Sequence, residues 1–331
     1  MSTKKAFTKS LLLSSVVLLS TIALAACGTK TASTSDATPA ATAGAAANTT
    51  APAADKVVKD PFGHEVKVPA HPVRIIASYL EDPLIALGLK PAAQWSVANG
   101  TQEYLKDKLQ GVPTIEYNLP PEKVLSFNPD IILIGSEGLT QNGLYDQYSK
   151  IAPTYVLGDA TTQDWRKTLT AMGDLFNKKA EADKVLKDYD QKVADTKSKL
   201  QDVTKDKSAA ILWLTQKQFY VVNGKVASGA ILYGDLGIKM PDVLAAIPDA
   251  KAANWNPISL EKLAALNADY IFIVNSDKGQ GDTLESPVWK ALPAVKSGHV
   301  YEMSASSSWL YNGAIAGAKT MDDLVQALLK K

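Results

Sequence analysis

The chain has 331 residues, with 35 lysines and arginines set against 34 aspartates and glutamates. That balance offers no basic excess for nucleic acid or for an anionic membrane surface. A single cysteine excludes a disulfide framework, and the length exceeds what one ordinary core organises, so two domains are expected.

Lys4, Lys5 and Lys9 precede an apolar run from Leu11 to Ala26, broken by Ser14, Ser15, Ser20 and Thr21. The run is too short to span a membrane and has the build of a secretory signal over residues 1–26. It ends in Leu24-Ala25-Ala26-Cys27, where small residues suit a signal peptidase. Leu-Ala-Ala-Cys resembles the lipobox of bacterial lipoproteins, which implies that Cys27 becomes a lipidated N-terminus on the outer face of a bacterial cell membrane. A buried core cysteine is the alternative use of that residue. From Gly28 to about Asp55 the composition falls to Ala, Thr, Ser, Pro and Gly, too little apolar surface to offset the entropy of ordering. Residues 27–55 are therefore expected to be the anchor and a disordered tether that holds the folded part clear of the bilayer.

Folded sequence is expected from Lys56. Apolar runs at Val73–Ser78, Ile131–Gly135, Thr154–Leu157, Ala209–Leu214, Phe219–Val222 and Tyr270–Val274 alternate with amphipathic stretches, the mark of α/β units. Consecutive apolar positions in Ile131–Ile134 and Tyr270–Val274 predict strands covered on both faces. Glu122–Ile134 aligns without a gap to Glu261–Ile273, with Glu, Lys, Asn, Asp and two Ile in common. A short helix, a turn and a buried strand thus occur once in each half, which predicts two similar lobes. Between the copies, Ala180, Val185, Tyr189, Val193 and Leu200 recur near helical period among many charges, predicting one helix of roughly 35 Å. The expected division is 56–176 for the first lobe, 177–202 for the connecting helix and 203–331 for the second lobe.

Asp60-Pro61-Phe62-Gly63-His64, the alternating strand after it and Pro72-Val73-Arg74-Ile75-Ile76 resemble the opening signature of the helical-backbone class of ABC-importer solute-binding proteins. Leu87-Gly88-Leu89-Lys90-Pro91 and both copies of the repeat match the same pattern. Members of that class carry ferric siderophores, haem or cobalamin. The resemblance implies an α/β fold of two Rossmann-like lobes joined by a single long α-helix, with the ligand in a cleft between them. It also implies a monomer that delivers its ligand to a permease dimer driven by a cytoplasmic ATPase, with no cofactor and no metal ligands of its own. One surface glutamate per lobe docks permease arginines in this class, and the repeat places them at Glu122 and Glu261. Each also suits a helix N-terminus, after Pro121 in one copy and the N-cap Ser259 in the other.

In open α/β sheets ligands lie beyond the carboxyl ends of the strands. That rule selects Ser78, Tyr79, Trp95 and Ser136 in the first lobe. In the second it selects Trp213, Thr215, Lys217, Asn275 and the loop Ser304–Asn312, with Trp309, Tyr311 and Asn312. Each aromatic could equally be packing. A ferric tris-catecholate carries about three negative charges and needs several cationic partners, yet the chain has only Arg74 and Arg166. A near-neutral ferric hydroxamate is therefore preferred, with Arg166 and Lys217 as cationic contacts; catecholate, citrate, haem and cobalamin complexes stay open.

A bare metal needs converging His and carboxylate ligands, and His64, His71 and His299 are poorly placed for that. No Gly-x-Ser-x-Gly elbow, His-Glu-x-x-His helix or Walker-type loop occurs, so no enzyme is expected. Ser228-Gly229-Ala230 reads as a turn and Gly234–Gly237 as a helix end.

Overall fold

The computed structural model describes residues 54–98, 100–246, 254–279 and 281–329. The expected signal over 1–26, Cys27 and nearly all of the tether lie outside them. Among the described residues no helix is long and apolar enough to cross a membrane.

The opening segment is an antiparallel pair, β1 (Lys56–Lys59) and β2 (Glu65–Val68), whose alternation buries Val66 and Val68. Asp60 closes its turn by accepting hydrogen bonds from the Phe62 and His64 backbone N–H groups, 2.9 Å each.

The first lobe follows as β3 (Ile75–Ile76), α1 (Glu81–Ala86), β4 (Pro91–Ser96), β5 (Thr114–Glu116), α2 (Pro121–Ser126), β6 (Ile131–Ile134), α3 (Leu144–Ile151), β7 (Thr154–Val156) and α4 (Trp165–Leu175). Its sheet is wholly parallel in the order β5-β4-β3-β6-β7. All four residues of β6 are buried because helices cover both faces. Ile131 and Leu133 pack with Leu169, Met172 and Leu175 of α4 on one side, and Ile132 and Ile134 with Val124 of α2 and Tyr148 of α3 on the other.

The connecting helix, α5 (Lys179–Thr204), has 26 residues, roughly 39 Å at 1.5 Å per residue. It starts two residues later than the sequence predicts because Asn177 takes the left-handed conformation, φ 56°, which closes α4 before α5 begins. Ala182 lies in the first lobe's core, and Tyr189 and Leu200 in the second lobe's. One rigid element is thereby anchored in both.

The second lobe comprises β8 (Ala209–Thr215), β9 (Gln218–Val222), β10 (Trp255–Pro257), α6 (Leu260–Ala264), β11 (Tyr270–Asn275), β12 (Val300–Met303) and α7 (Ala314–Leu329). Its sheet order, β10-β9-β8-β11-β12, repeats the first lobe's when each is counted from its own first strand. This is the order of a Rossmann sheet without its sixth strand. One strand departs: Gln216 and Lys217, at φ 51° and 59°, make a two-residue turn that sends β9 back antiparallel to β8.

The sequence repeat has a structural reason. β6 and β11 both lie beside the first strand of their sheet, and the shared aspartate ahead of each fixes the chain entering that strand. Asp130 accepts from the backbone N–H groups of Val73 (2.9 Å) and Arg74 (2.8 Å). Asp269 accepts from the Ser208 backbone N–H (2.8 Å) and the Lys207 ammonium (3.0 Å). Partial burial pushes both carboxyls up, but the donors outweigh it and hold them below the ordinary aspartate value.

Candidate functional site

Beyond the carboxyl ends of β3, β4, β6 and β7 lies a cavity of about 420 Å³, within the range of pockets that hold drug-sized ligands. Ser78 and Tyr79 after β3, Trp95 at the end of β4, Ser136 after β6 and Asp159 after β7 reach it. Tyr79 is held at φ 64°, a strained setting for a large side chain. The residue stays 39% exposed and its ring meets Trp95, with centroids 5.0 Å apart. Trp95 is fixed from behind, since its backbone N–H donates to the buried Glu81 carboxylate. Trp165, at the start of α4, adds a second indole.

The second lobe closes the cavity with Val226, Asn254, Asn312 and Gly313. The Ala227 backbone N–H donates to Asn312 Oδ1, which ties the segment after β9 to the loop before α7. That loop is locked onto the first lobe by α1. The Ile315 and Ala316 backbone N–H groups donate to the two Asp82 carboxylate oxygens (3.1 and 2.8 Å), and the Tyr104 hydroxyl donates to one of them (3.1 Å). Burial raises the Asp82 carboxyl to about 6 against those hydrogen bonds, and Glu81 to about 7 against the one from the Trp95 backbone. Gly313 faces Asp82 so closely that a Cβ there would stand 2.1 Å from the carboxyl carbon.

Of the residues selected by sequence, Ser78, Tyr79, Trp95, Ser136 and Asn312 thus come together on one cavity, with Tyr311 beside it, its ring 6.4 Å from that of Tyr79. The others lie elsewhere. Trp309 is 0% exposed, stacked on Phe272 with its indole N–H donating to Asp323; the loop needs it as the plug of the second core. Trp213 packs on Tyr220 and Trp255 and donates to Ser276. Thr215 and Lys217 belong to the β8–β9 turn, where Asp277 accepts the Lys217 backbone N–H. Asn275 accepts from the Asp277 backbone N–H at the end of β11. Arg166 is committed to Asp190 (2.8 Å) and Asp235 (3.4 Å) across the Trp165 and Tyr189 rings, a tie between α4, α5 and the second lobe. Neither expected cationic contact reaches this cavity. Ser228 and Gly229, expected in a turn, sit in a helical segment from Ala227 to Asp235.

Sequence reasoning missed Gln102, Tyr117, Asp159, Gln163 and Trp165. Trp165 and Asp159 carried a usable signal, since both follow β7, whose carboxyl end the strand-tip rule also selects. Gln102 carried none: it enters from an irregular segment. Among the described residues Ser78 Oγ and Gln102 Oε1, buried in the cavity wall, have no hydrogen-bond partner, and the wall holds no lysine, arginine or histidine.

The profile of the periplasmic binding protein family matches residues 78–306. The chain belongs to that family. It is 31% identical to the iron-uptake system-binding protein of Bacillus subtilis over 94% of this chain and 95% of the relative. It is 30% identical to the iron(3+)-hydroxamate-binding protein YxeB of the same organism over 83% of this chain and 86% of the relative. Among solved structures, a FhuD fold-family periplasmic binding protein component of a Fep/Fec-like ferrichrome ABC transporter from Bacillus subtilis superposes with a TM-score of 0.71 at 29% identity, over 83% of this chain and all of that one. In this family member the paired glutamates of the repeat stand alike. Glu122 and Glu261 are both exposed in the first turn of α2 and α6, beside Leu125 (59% exposed) and Leu260 (61% exposed).

Proposed function

We propose that this periplasmic binding protein captures a ferric siderophore outside the cytoplasm, with hydroxamates preferred, and delivers it unchanged to an ABC permease. The observation that carries the ligand choice is the cavity wall: two indoles, two phenols, amides, hydroxyls and the Asp159 carboxylate, with no cation among its described residues. A trianionic catecholate complex buried against such a surface would keep its charge without a partner, at a cost of several kcal/mol. A near-neutral tris-hydroxamate meets no such penalty and stacks its apolar arms on Tyr79, Trp95 and Trp165. The hydroxamate named for one relative and the ferrichrome transporter named for one structural neighbour support the same reading.

Around that site the remaining parts fall into place as one device. Tyr79, Trp95, Ser136, Asn312 and Tyr311 contact the ligand; Glu122 and Glu261 dock arginines of a permease dimer powered by a cytoplasmic ATPase; lipidated Cys27 holds the monomer at the membrane. Residues 56–176 and 203–331 act as the two jaws. No chemical step and no cofactor is required, because the siderophore brings the iron already coordinated.

Trp95 and Trp165 in the wall make intrinsic fluorescence a direct readout. Titration with ferrioxamine, ferrichrome, ferric enterobactin and ferric citrate in parallel should show quenching by the two hydroxamates at the lowest concentrations. Quenching by the catecholate alone would overturn the ligand assignment.

A further inference from the structure

Behind the aromatic wall lies an acid that does not itself reach the cavity. Glu81, the first residue of α1, is 0% exposed. Its Oε1 accepts the Trp95 backbone N–H at 2.6 Å, and its Oε2 is buried with no hydrogen-bond partner among the described residues. Trp95 in turn meets the ring of Tyr79, which stands two residues before Glu81 in the turn that leads into α1. One carboxylate thus braces the strand end that carries the indole, from beside the turn that carries the phenol.

A buried acid with one oxygen left over is costly, and a neutral amide would make the same bond without burying a charge. The titratable groups that act on Glu81 are Asp82 beside it, Tyr79 in the turn and Tyr104 from the segment after β4. None is a cation. The elements packed on α1, namely β4, α4, α5 and α7, bring no lysine, arginine or histidine into an ion pair with it among the described residues. Burial, with the neighbouring Asp82 charge, raises its carboxyl to about 7, where an ordinary change of pH removes the charge.

We propose that Glu81 is a positioning residue whose ionised carboxylate seats the Tyr79–Trp95 pair, so that the protein grips its ligand fully only while that carboxylate carries its charge. The inference rests on the reading that a siderophore stacks on these two rings. A charge-assisted hydrogen bond is stronger than a neutral one. Loss of the charge lets the Trp95 backbone leave its seat part of the time, and the apparent affinity falls with the fraction still seated. A ligand adds little desolvation to a residue already sealed, so the hydrogen bond sets the sign. The bound state favours the seated, ionised form and holds Glu81 below its ligand-free value. Affinity is therefore complete above about pH 7 and declines as the solution is acidified through it.

The test is tryptophan quenching by ferrichrome, whose uncharged peptide ring has no group that titrates between about pH 5.5 and about pH 8.5. Native affinity should be about fivefold lower at the acidic end, the difference between a charged and a neutral hydrogen bond. Glu81→Gln keeps an acceptor oxygen without the charge and should hold that weaker affinity across the range; any slope left in it below about pH 6 belongs to Asp82. In the ligand-free native protein the Trp95 backbone amide proton should shift with a midpoint near pH 7, reporting the bond directly. A native affinity that stays level with pH would overturn the positioning role, and so would a variant that reproduces the native slope or the native affinity at pH above 7. No ferrichrome binding at any pH would overturn the hydroxamate reading, and the amide resonance would still decide Glu81, since one that does not titrate removes the carboxylate from the seat. The native profile and that resonance need no variant to fold.

Discussion

The first lobe meets the cavity with the carboxyl tips of β3, β4, β6 and β7, whereas the second reaches it with the segment after β9, with Asn254 and with the loop before α7. Both sheets have the same strand order and the same aspartate fixing the entry to the first strand. The difference comes from one turn. Gln216 and Lys217 reverse β9, so its carboxyl end lies at the opposite end of the sheet from the tip of β8, and the segment after β9 reaches the cavity. Equal topology therefore gives unequal walls: the first lobe supplies the aromatic side of the cavity, and the second supplies the opposite side and its fastening.

That fastening is where a single methyl group should do the most damage. Gly313→Ala would drive a methyl group into the Asp82 carboxylate at a backbone φ of +140°. Overpacking and a disfavoured conformation together should cost about 4 kcal/mol, a fall in Tm of roughly 8–16 °C at about 2–4 °C per kcal/mol. Gly100 has the same φ but nothing within 4 Å of a Cβ, so Gly100→Ala isolates the backbone contribution. Calorimetry that found equal losses for the two variants would show that the contact with Asp82 does not matter.

Asp82 and the repeat aspartates should respond to pH with opposite sign. Burial raises Asp82 from 3.8 to about 6, so the folded state binds its proton more tightly than the unfolded chain. Its share of stability therefore rises as pH falls from about 6 towards 4, by up to about 3 kcal/mol. Asp130 and Asp269 are lowered; their contribution is complete above the ordinary aspartate pKa and is lost as pH falls through their folded values. Urea unfolding across pH 4–7 should show native protein gaining on Asp82→Asn as the solution is acidified, and a gap that stays constant would contradict the raised Asp82 value.

The two lobes should also differ in what their side chains contribute to ligand affinity, at smaller energies. Tyr79→Ala or Trp95→Ala should weaken siderophore binding tenfold or more, about 1.4 kcal/mol. Trp213→Ala and Lys217→Ala should change it less than about twofold, within the range of surface substitutions. A larger loss at Lys217 than at Trp95 in the same fluorescence assay would reverse the roles assigned to the two lobes.

How far these roles could be read in the amino-acid order depends on the kind of interaction that sets them. The strands, the connecting helix and the equivalence of Glu122–Ile134 with Glu261–Ile273 follow from local periodicity, and each survives in the fold. The first-lobe tips Tyr79, Trp95 and Ser136 were legible because a parallel sheet obliges every carboxyl end to point the same way. Lys217 failed for want of that uniformity, since two residues at positive φ reversed the next strand and carry no glycine to announce it. Trp309 failed for another reason: a Ser/Gly-rich loop looks open in sequence, and only the distant Phe272 and Asp323 show that its indole is sealed. Gln102, Asp159 and the Asp82 clamp depend on contacts between segments far apart, to which periodicity is blind.

The repeat itself gives the smallest expected change in binding and the clearest separation of functions. Glu122 and Glu261 stand on the outer ends of α2 and α6, each exposed beside an exposed leucine and without an ion-pair partner among the described residues. An acid that only complements a helix N-terminus contributes about 0.3–1 kcal/mol, so Glu122→Ala with Glu261→Ala should lower stability by no more than about 2 kcal/mol and shift siderophore affinity by less than about twofold. Docking predicts something that capping does not: cells carrying the double variant should lose uptake of the iron complex although the purified protein still binds it. Leu125→Ser with Leu260→Ser should weaken uptake too, because an exposed apolar side chain beside each acid adds contact area to the same two patches. Uptake at native rates in the glutamate variant would reduce both residues to helix caps, and the symmetry of the repeat would then express folding alone.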